Sequence, residues 1–179
     1  MVMRLFAAIG LPQAVRPEIT RLQRGVAGAR WRPPENLHVT LRFFGDVDER
    51  QIEDLDGELS AISLPPFTLD IRGSGWFGRA EPRALWLGVT ASEPLLYLQD
   101  RCERAARRTG LEPETRNYKP HVTLAYLRGT PEDRLRRFVE RTANFRIEPL
   151  AVTHFSLYRS WPKRGDSNLY ENLADYPLG

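Results

Sequence analysis

A short stretch of this chain occurs twice. Leu37-His38-Val39-Thr40-Leu41 in the first half is echoed by Pro120-His121-Val122-Thr123-Leu124 in the second. A repeated tetrapeptide alone can be accident, so the surroundings decide, and they match. Ahead of the first copy run an apolar segment, Met3 to Ile9, then Leu11-Pro12, then Val15, Ile19, Leu22 and Val26 at helical spacing. Ahead of the second come Ala84 to Val89 and then Ser92-Glu93-Pro94, with Ser92 at an N-cap position. A stripe of Leu95, Leu98, Cys102, Ala105 and Ala106 follows and stops at Gly110. After each copy another helix is expected. Asp48 with Gln51 opens the first, with apolar positions at 52, 55, 59 and 62; Thr130, Pro131 and Asp133 open the second, with Leu135, Phe138 and Val139 inward. Each helix leads into a long strand pattern, Phe67 to Phe77 and Phe145 to Tyr158.

Each half therefore reads strand, helix, HVTL strand, helix, strand. The offset hardly drifts, 82 from Pro12 to Pro94 and 83 from His38 to His121. This predicts an α+β fold, one bilobal domain over residues 1–179 with lobes built from the approximate repeats 1–79 and 83–160. A pseudo-twofold axis would relate the lobes, with antiparallel sheets facing a central cleft and helices outside. A chain of 179 residues can bury a sizeable core, whereas neither half is comfortable alone. Gly73-Ser74-Gly75 and Trp161 to Ser167 read as loops, and Pro65-Pro66 marks the start of a strand.

Alternate residues on a strand share a face. That puts His38, Thr40 and Arg42 on one side, opposite Val39, Leu41 and Phe43. It puts His121, Thr123 and Ala125 together, opposite Val122, Leu124 and Tyr126. A pseudo-twofold would then bring two imidazoles and two hydroxyls toward one point. In-line displacement at a phosphodiester needs a base for the attacking oxygen and an acid for the departing one. Histidine can be either. Threonine hydroxyls can hold the non-bridging phosphate oxygens, where charge must be stabilised. One HxT on a strand is weak evidence, because such residues are common in half-buried sheets. Two copies at matching places use two of the three histidines. His154, with no threonine two residues on, reads as a strand or surface histidine.

Metal chemistry finds little support, with no HExxH motif, no clustered carboxylates and a single cysteine, Cys102. The lone cysteine also rules out an internal disulfide. No apolar run approaches eighteen residues, and the first ten residues read as a core strand in preference to a signal peptide, so a cytoplasmic protein without a membrane partner is expected. Net charge is only +3, which does not establish a nucleic-acid partner; all but two of the 26 basic residues are arginine, which suits phosphate but also follows from composition bias.

The chain resembles the two-histidine phosphoesterases, and among them the RNA 2′,3′-cyclic phosphodiesterases, also called 2′-5′ RNA ligases. The resemblance runs through Arg4 to Pro12, Trp31, Pro34 to Gly45, Leu85 to Val89, Tyr118 to Leu124 and Leu157 to Ser160. It implies a bilobal fold and hydrolysis of RNA terminal 2′,3′-cyclic phosphates to 2′-phosphates, without metal or cofactor. The RNA partners it implies are chains with cyclic phosphate ends, tRNA fragments being one candidate source. It carries His38 and His121 over as catalytic residues and Thr40 and Thr123 as phosphate ligands, with His38 as acid toward the departing 3′-oxygen and His121 as base toward water. Arg42, Arg116 and Tyr118 are further candidates for substrate contact, whereas Phe6 and Phe43 read as core. One departure stands out: related chains often carry arginine five residues after the second histidine, where this one has Tyr126. Three rivals remain: the reverse reaction, a 2′-5′ RNA ligase; a phosphodiesterase for small cyclic phosphates such as that of ADP-ribose; and a non-catalytic RNA-phosphate-binding protein.

Overall fold

The two HVTL segments lie side by side in the middle of one curled antiparallel sheet. The structure, a computed structural model, describes every residue except Asp166. Nine strands form the sheet among the described residues: β1 (Val2–Gly10), β2 (Ala29–Trp31), β3 (His38–Asp48), β4 (Phe67–Phe77), β5 (Ala84–Val89), β6 (His121–Leu127), β7 (Arg146–Val152), β8 (His154–Trp161) and β9 (Leu169–Pro177). Their order is β7-β4-β5-β6-β3-β1-β8-β9, with β2 pairing on β6. Four α-helices accompany them, α1 (Arg16–Thr20), α2 (Glu49–Ser60), α3 (Glu93–Arg108) and α4 (Glu132–Arg141). The α+β class and the antiparallel sheets are as expected. The halves meet where β3 and β6 pair through Val39 and Val122.

The composition of the halves differs from the expected one. The strand at the end of the first repeat, β4, pairs with β5, and β8 from the second repeat pairs with β1. Each half-sheet thus takes its third strand from the other repeat, and the lobes are not residues 1–79 and 83–160. The reason is local. A short turn joins β4 to β5, closed by Arg83 N–H donating to the Phe77 carbonyl at 2.8 Å, and antiparallel strands so joined pair with each other. The expected boundary cut through this hairpin. Strand β9, which no pattern announced, caps the other edge against β8.

Other boundaries shift for visible reasons. The expected strand Phe145 to Tyr158 is two, β7 and β8, which break at Thr153 and lie at opposite ends of the sheet. The helix expected through Val26 ends at Thr20, because Gln23 turns back and its Nε2 donates to the carbonyls of Arg32 (3.0 Å) and Leu124 (3.1 Å). The Asp48–Gln51 capping box forms. Ser92 occupies its N-cap position without a side-chain capping bond, and Thr130 donates to the Ala27 carbonyl while Pro131 holds the N-cap of α4. Gly73 to Gly75 lies inside β4 at an irregularity in its pairing with β5. The loop read from Trp161 to Ser167 contains Asp166, which lies outside the described residues; Trp161 itself ends β8.

The core is mainly apolar, from Leu5 and Val39 through Leu55, Leu98 and Val122 to Phe155, all fully buried, with the Arg42–Glu103 pair among the few charged residues it encloses. Among the described residues no helix is long and apolar enough to cross a membrane.

Candidate active site

Both HVTL strands carry the same irregularity. Thr40 pairs with Ala8 and Arg42 with Ala7, leaving Leu41 as an extra residue. Thr123 pairs with Trp86 and Ala125 with Leu85, leaving Leu124 extra. These β-bulges sit three residues after each histidine, and beyond them the alternation reverses. Leu41 and Arg42 are consecutively buried, as are Leu124 and Ala125, and the next side chains turn outward: Phe43 is 50% exposed and Tyr126 49%. This corrects the face assignment. Arg42 leaves the side of His38, while Phe43 and Tyr126, expected on the core side, stand at matching places along the cleft.

The cleft has a volume of about 590 Å³, and His38, Thr40, His121 and Thr123 all line it. Opposite each histidine on the neighbouring strand is a glycine, Gly10 for His38 and Gly88 for His121. A Cβ at Gly88 would come within 2.7 Å of the Arg72 carbonyl oxygen, so that place requires glycine, whereas one at Gly10 would meet the tip of the Tyr158 side chain at 2.8 Å.

The two imidazoles are held alike. His38 Nδ1 donates to the Asn36 carbonyl and His121 Nδ1 to the Lys119 carbonyl, each at 2.6 Å and each two residues back. A carbonyl only accepts, so both rings carry hydrogen on Nδ1 and leave Nε2 for proton transfer. Aromatic rings meet them edge-on, Tyr170 at His38 (81°) and Phe77 at His121 (85°). One asymmetry is built in: the Thr40 hydroxyl lies 2.9 Å from His38 Nε2. Burial pushes the His38 pKa down to about 4; the bond to Asn36 opposes this, and the positive charges of Arg32 and His121 add to it. Burial also lowers His121, opposed by its bond to Lys119 and assisted by the Lys119 ammonium.

The other expected contacts fare differently. Arg42 is 7% exposed and paired with the Glu103 carboxylate, while its remaining donors reach the carbonyls of Phe43 and Glu112. Although Arg42 also lines the cleft, these contacts brace α3 and the segment after it against β3. Arg116 is at the rim, 81% exposed, its guanidinium bidentate on Glu114 at 3.1 and 3.0 Å. Tyr118 lines the cleft and its hydroxyl donates to the Thr40 carbonyl at 2.8 Å, which ties the segment before β6 to β3. His154 is exposed on β8 and does not line this cleft.

Sequence reasoning missed Arg32, Tyr170, Phe77 and Lys119. Arg32 follows β2, and its guanidinium lies over the Tyr126 ring at 4.9 Å from the centroid. A guanidinium therefore faces the cleft beside position 126 although Tyr126 itself is not arginine. Tyr170 arrives on the unannounced β9, and Lys119 packs its ammonium 4.6 Å from the Trp86 ring centroid. Tyr170 and Phe77 reach the cleft through strand pairing and carry no local signal, whereas Lys119, two residues before His121, was within reach of the motif. Among the described residues no three His, Cys, Asp or Glu side chains cluster as metal ligands.

Two imidazole nitrogens, two hydroxyls and a buried cation around one cleft could serve acid–base displacement at phosphorus. Residues 11–161 match the model of the family described as the 2′-5′ RNA ligase superfamily. An RNA 2′,3′-cyclic phosphodiesterase of Methanothermobacter thermautotrophicus is 32% identical over 168 residues, 89% of this chain and 91% of that protein. One of Thermotoga maritima is 31% identical over 165 residues, 88% and 87% of the two chains. The crystal structure of E. coli LigT complexed with 3′-AMP is similar at a TM-score of 0.79 and 28% identity, with 99% of each chain covered.

Proposed function

Since this chain belongs to the 2′-5′ RNA ligase superfamily, we propose that it hydrolyses the terminal 2′,3′-cyclic phosphate of RNA to a 2′-phosphate by metal-free acid–base catalysis. The observation that carries the proposal is the matched pair of histidines, each fixed through Nδ1 and each offering Nε2 to one cleft. His121 Nε2 takes a proton from water as the water oxygen bonds to phosphorus. The bond from phosphorus to the 3′-oxygen breaks, and His38 Nε2–H delivers a proton to that oxygen. Thr40 and Thr123 donate their hydroxyl hydrogens to the non-bridging oxygens, where negative charge builds. His38 is neutral near pH 7 in the free protein, so its role as acid depends on the arriving phosphate, whose negative charge favours the imidazolium.

Relatives named RNA 2′,3′-cyclic phosphodiesterase, about 30% identical over most of the chain, support the substrate class. A LigT structure holding 3′-AMP supports a nucleoside phosphate as occupant of a cleft of this fold. The superfamily's description also favours a second reading, ATP-independent joining of 2′-5′ linkages, which is the same reaction with an RNA hydroxyl in place of water. In dilute solution water wins, and hydrolysis is the net direction. Passive binding of RNA phosphate fits less well, because gripping alone gives no use for two imidazoles each fixed through Nδ1. We place the activity in the cytoplasm, on RNA fragments, those of tRNA among them.

The deciding experiment is incubation with a short RNA ending in a 2′,3′-cyclic phosphate, followed by identification of the product end. A 2′-phosphate is expected. Absence of turnover, or a 3′-phosphate product, overturns the reading.

A further inference from the structure

Arg32 lies outside both histidine motifs, yet it is the most deeply set cation facing the cleft apart from Arg42, which has a carboxylate partner. Only 7% of Arg32 is exposed. Its backbone is anchored twice: its N–H donates to the Leu124 carbonyl of β6 at 2.8 Å, and its carbonyl accepts from Nε2 of Gln23, in the segment after α1, at 3.0 Å. Its guanidinium lies between two tyrosines, 4.9 Å from the Tyr126 ring centroid and 5.9 Å from that of Tyr170, and one amino group donates to the Tyr170 hydroxyl at 3.2 Å. Among the described residues no carboxylate forms an ion pair with it.

That combination is costly unless an anion completes it. A buried charge without a partner is strongly unfavourable, and a guanidinium carries five donors in a rigid fork. Here one hydrogen bond and two ring faces hold the fork in place where Arg32 lines the cleft. Holding a cation in a fixed pose between aromatic faces lowers the ordering cost of a ligand that meets it. The matching ligand is a phosphate, whose oxygens a guanidinium contacts in pairs.

Resting on the cyclic phosphodiesterase reading, we infer that Arg32 is a substrate-binding residue: its guanidinium, held by Tyr126 and Tyr170, contacts the non-bridging oxygens of the phosphate undergoing displacement. The placement has a second consequence. The Arg32 charge is one of the factors that keep His38 neutral. A phosphate bound to Arg32 offsets that charge and adds its own, so the same contact that binds substrate turns His38 into a proton donor.

The test is calorimetric titration of wild type, Arg32→Gln and Arg32→Lys with inorganic phosphate and with adenosine 2′-monophosphate, alongside kcat and KM on an RNA cyclic phosphate. Arg32→Gln should weaken both phosphate ligands roughly ten- to a hundredfold, the range for a hydrogen bond to a charged group. Arg32→Lys should recover part of that, since it keeps the charge and loses the fork. The basic limb of kcat/KM should move upward in Arg32→Gln, because one of the positive charges that keep His38 neutral is gone, and in Arg32→Lys, which keeps that charge, it should stay near the wild-type position. Affinities within twofold of wild type in Arg32→Gln overturn the inference, as does a wild type that binds neither phosphate. A lowered melting midpoint with unchanged affinity makes Arg32 structural and overturns it too. If wild type binds phosphate but turns over no cyclic phosphate, the proposed function falls, and the affinities still decide the role of Arg32.

Discussion

The Thr40 hydroxyl lies 2.9 Å from Nε2 of His38. Because Nδ1 is committed to the Asn36 carbonyl, the neutral ring accepts at Nε2, and Thr40 is its donor. Among the described residues Thr123 has no such bond to His121. Both threonines are proposed phosphate ligands, so Thr40→Ala and Thr123→Ala should each slow turnover by roughly ten- to a hundredfold. Only Thr40→Ala should also move the pH limb that belongs to His38. Full pH profiles of kcat for both variants check this, and identical limbs would show that the Thr40 contact is incidental to the chemistry.

His38→Ala and His121→Ala should each lose roughly 10²–10⁴-fold in rate, the range for removing one general acid or base. The double variant should be far from additive, since both groups act in one displacement. His154→Ala, exposed on β8, should turn over like wild type. Strong loss at His154 with mild loss at His38 would contradict the assignment.

The lowered pKa of His38 makes a prediction with a definite sign. As the acid, His38 is active only when protonated, and kcat/KM reports the free protein, where burial holds it near 4. The basic limb of kcat/KM should therefore lie on the acidic side of neutrality. The bound phosphate favours imidazolium, so the basic limb of kcat should lie at higher pH, and KM should rise between the two. Coincident limbs in the two profiles would mean that substrate does not charge His38. Because the histidines titrate as a pair, each limb is assigned by substitution: His38→Ala should remove the basic one and His121→Ala the acidic one. The opposite pairing reverses the roles.

Turnover should persist in saturating EDTA, because acid, base and phosphate ligands are all side chains in the proposed mechanism. A loss on chelation that one divalent ion restores would replace the mechanism with a metal-assisted one.

Arg42 and Glu103 provide a control on which arginine meets substrate. Glu103→Ala leaves the Arg42 guanidinium buried without its partner and should cost about 3–5 kcal/mol of stability, measured by urea unfolding. Arg42→Met should change KM of the folded enzyme by less than threefold. A tenfold rise in KM at unchanged stability would return Arg42 to the substrate.

How much of this was legible in the sequence follows from how far each signal reaches. The histidines and threonines were legible because the duplication of HVTL needs only local comparison, and strand periodicity puts the first three residues of each motif on known faces. The α+β class, the Asp48–Gln51 cap and the apolar stripes of α2 and α3 follow from short-range rules in the same way. The bulges at Leu41 and Leu124 were not legible, since a bulge is defined by the partner strand's register, and they moved Arg42 into the core and Phe43 and Tyr126 onto the cleft. Nor was the exchange of β4 and β8 between halves, because the repeat boundary fell inside a hairpin whose pairing overrides sequence symmetry. Arg32 and Tyr170 are 138 residues apart and carry no motif. Only the pairing of β2 on β6 and of β9 on β8 brings them to His38, which is why the chain's own letters name the two histidines and the tertiary structure alone supplies the cation beside them.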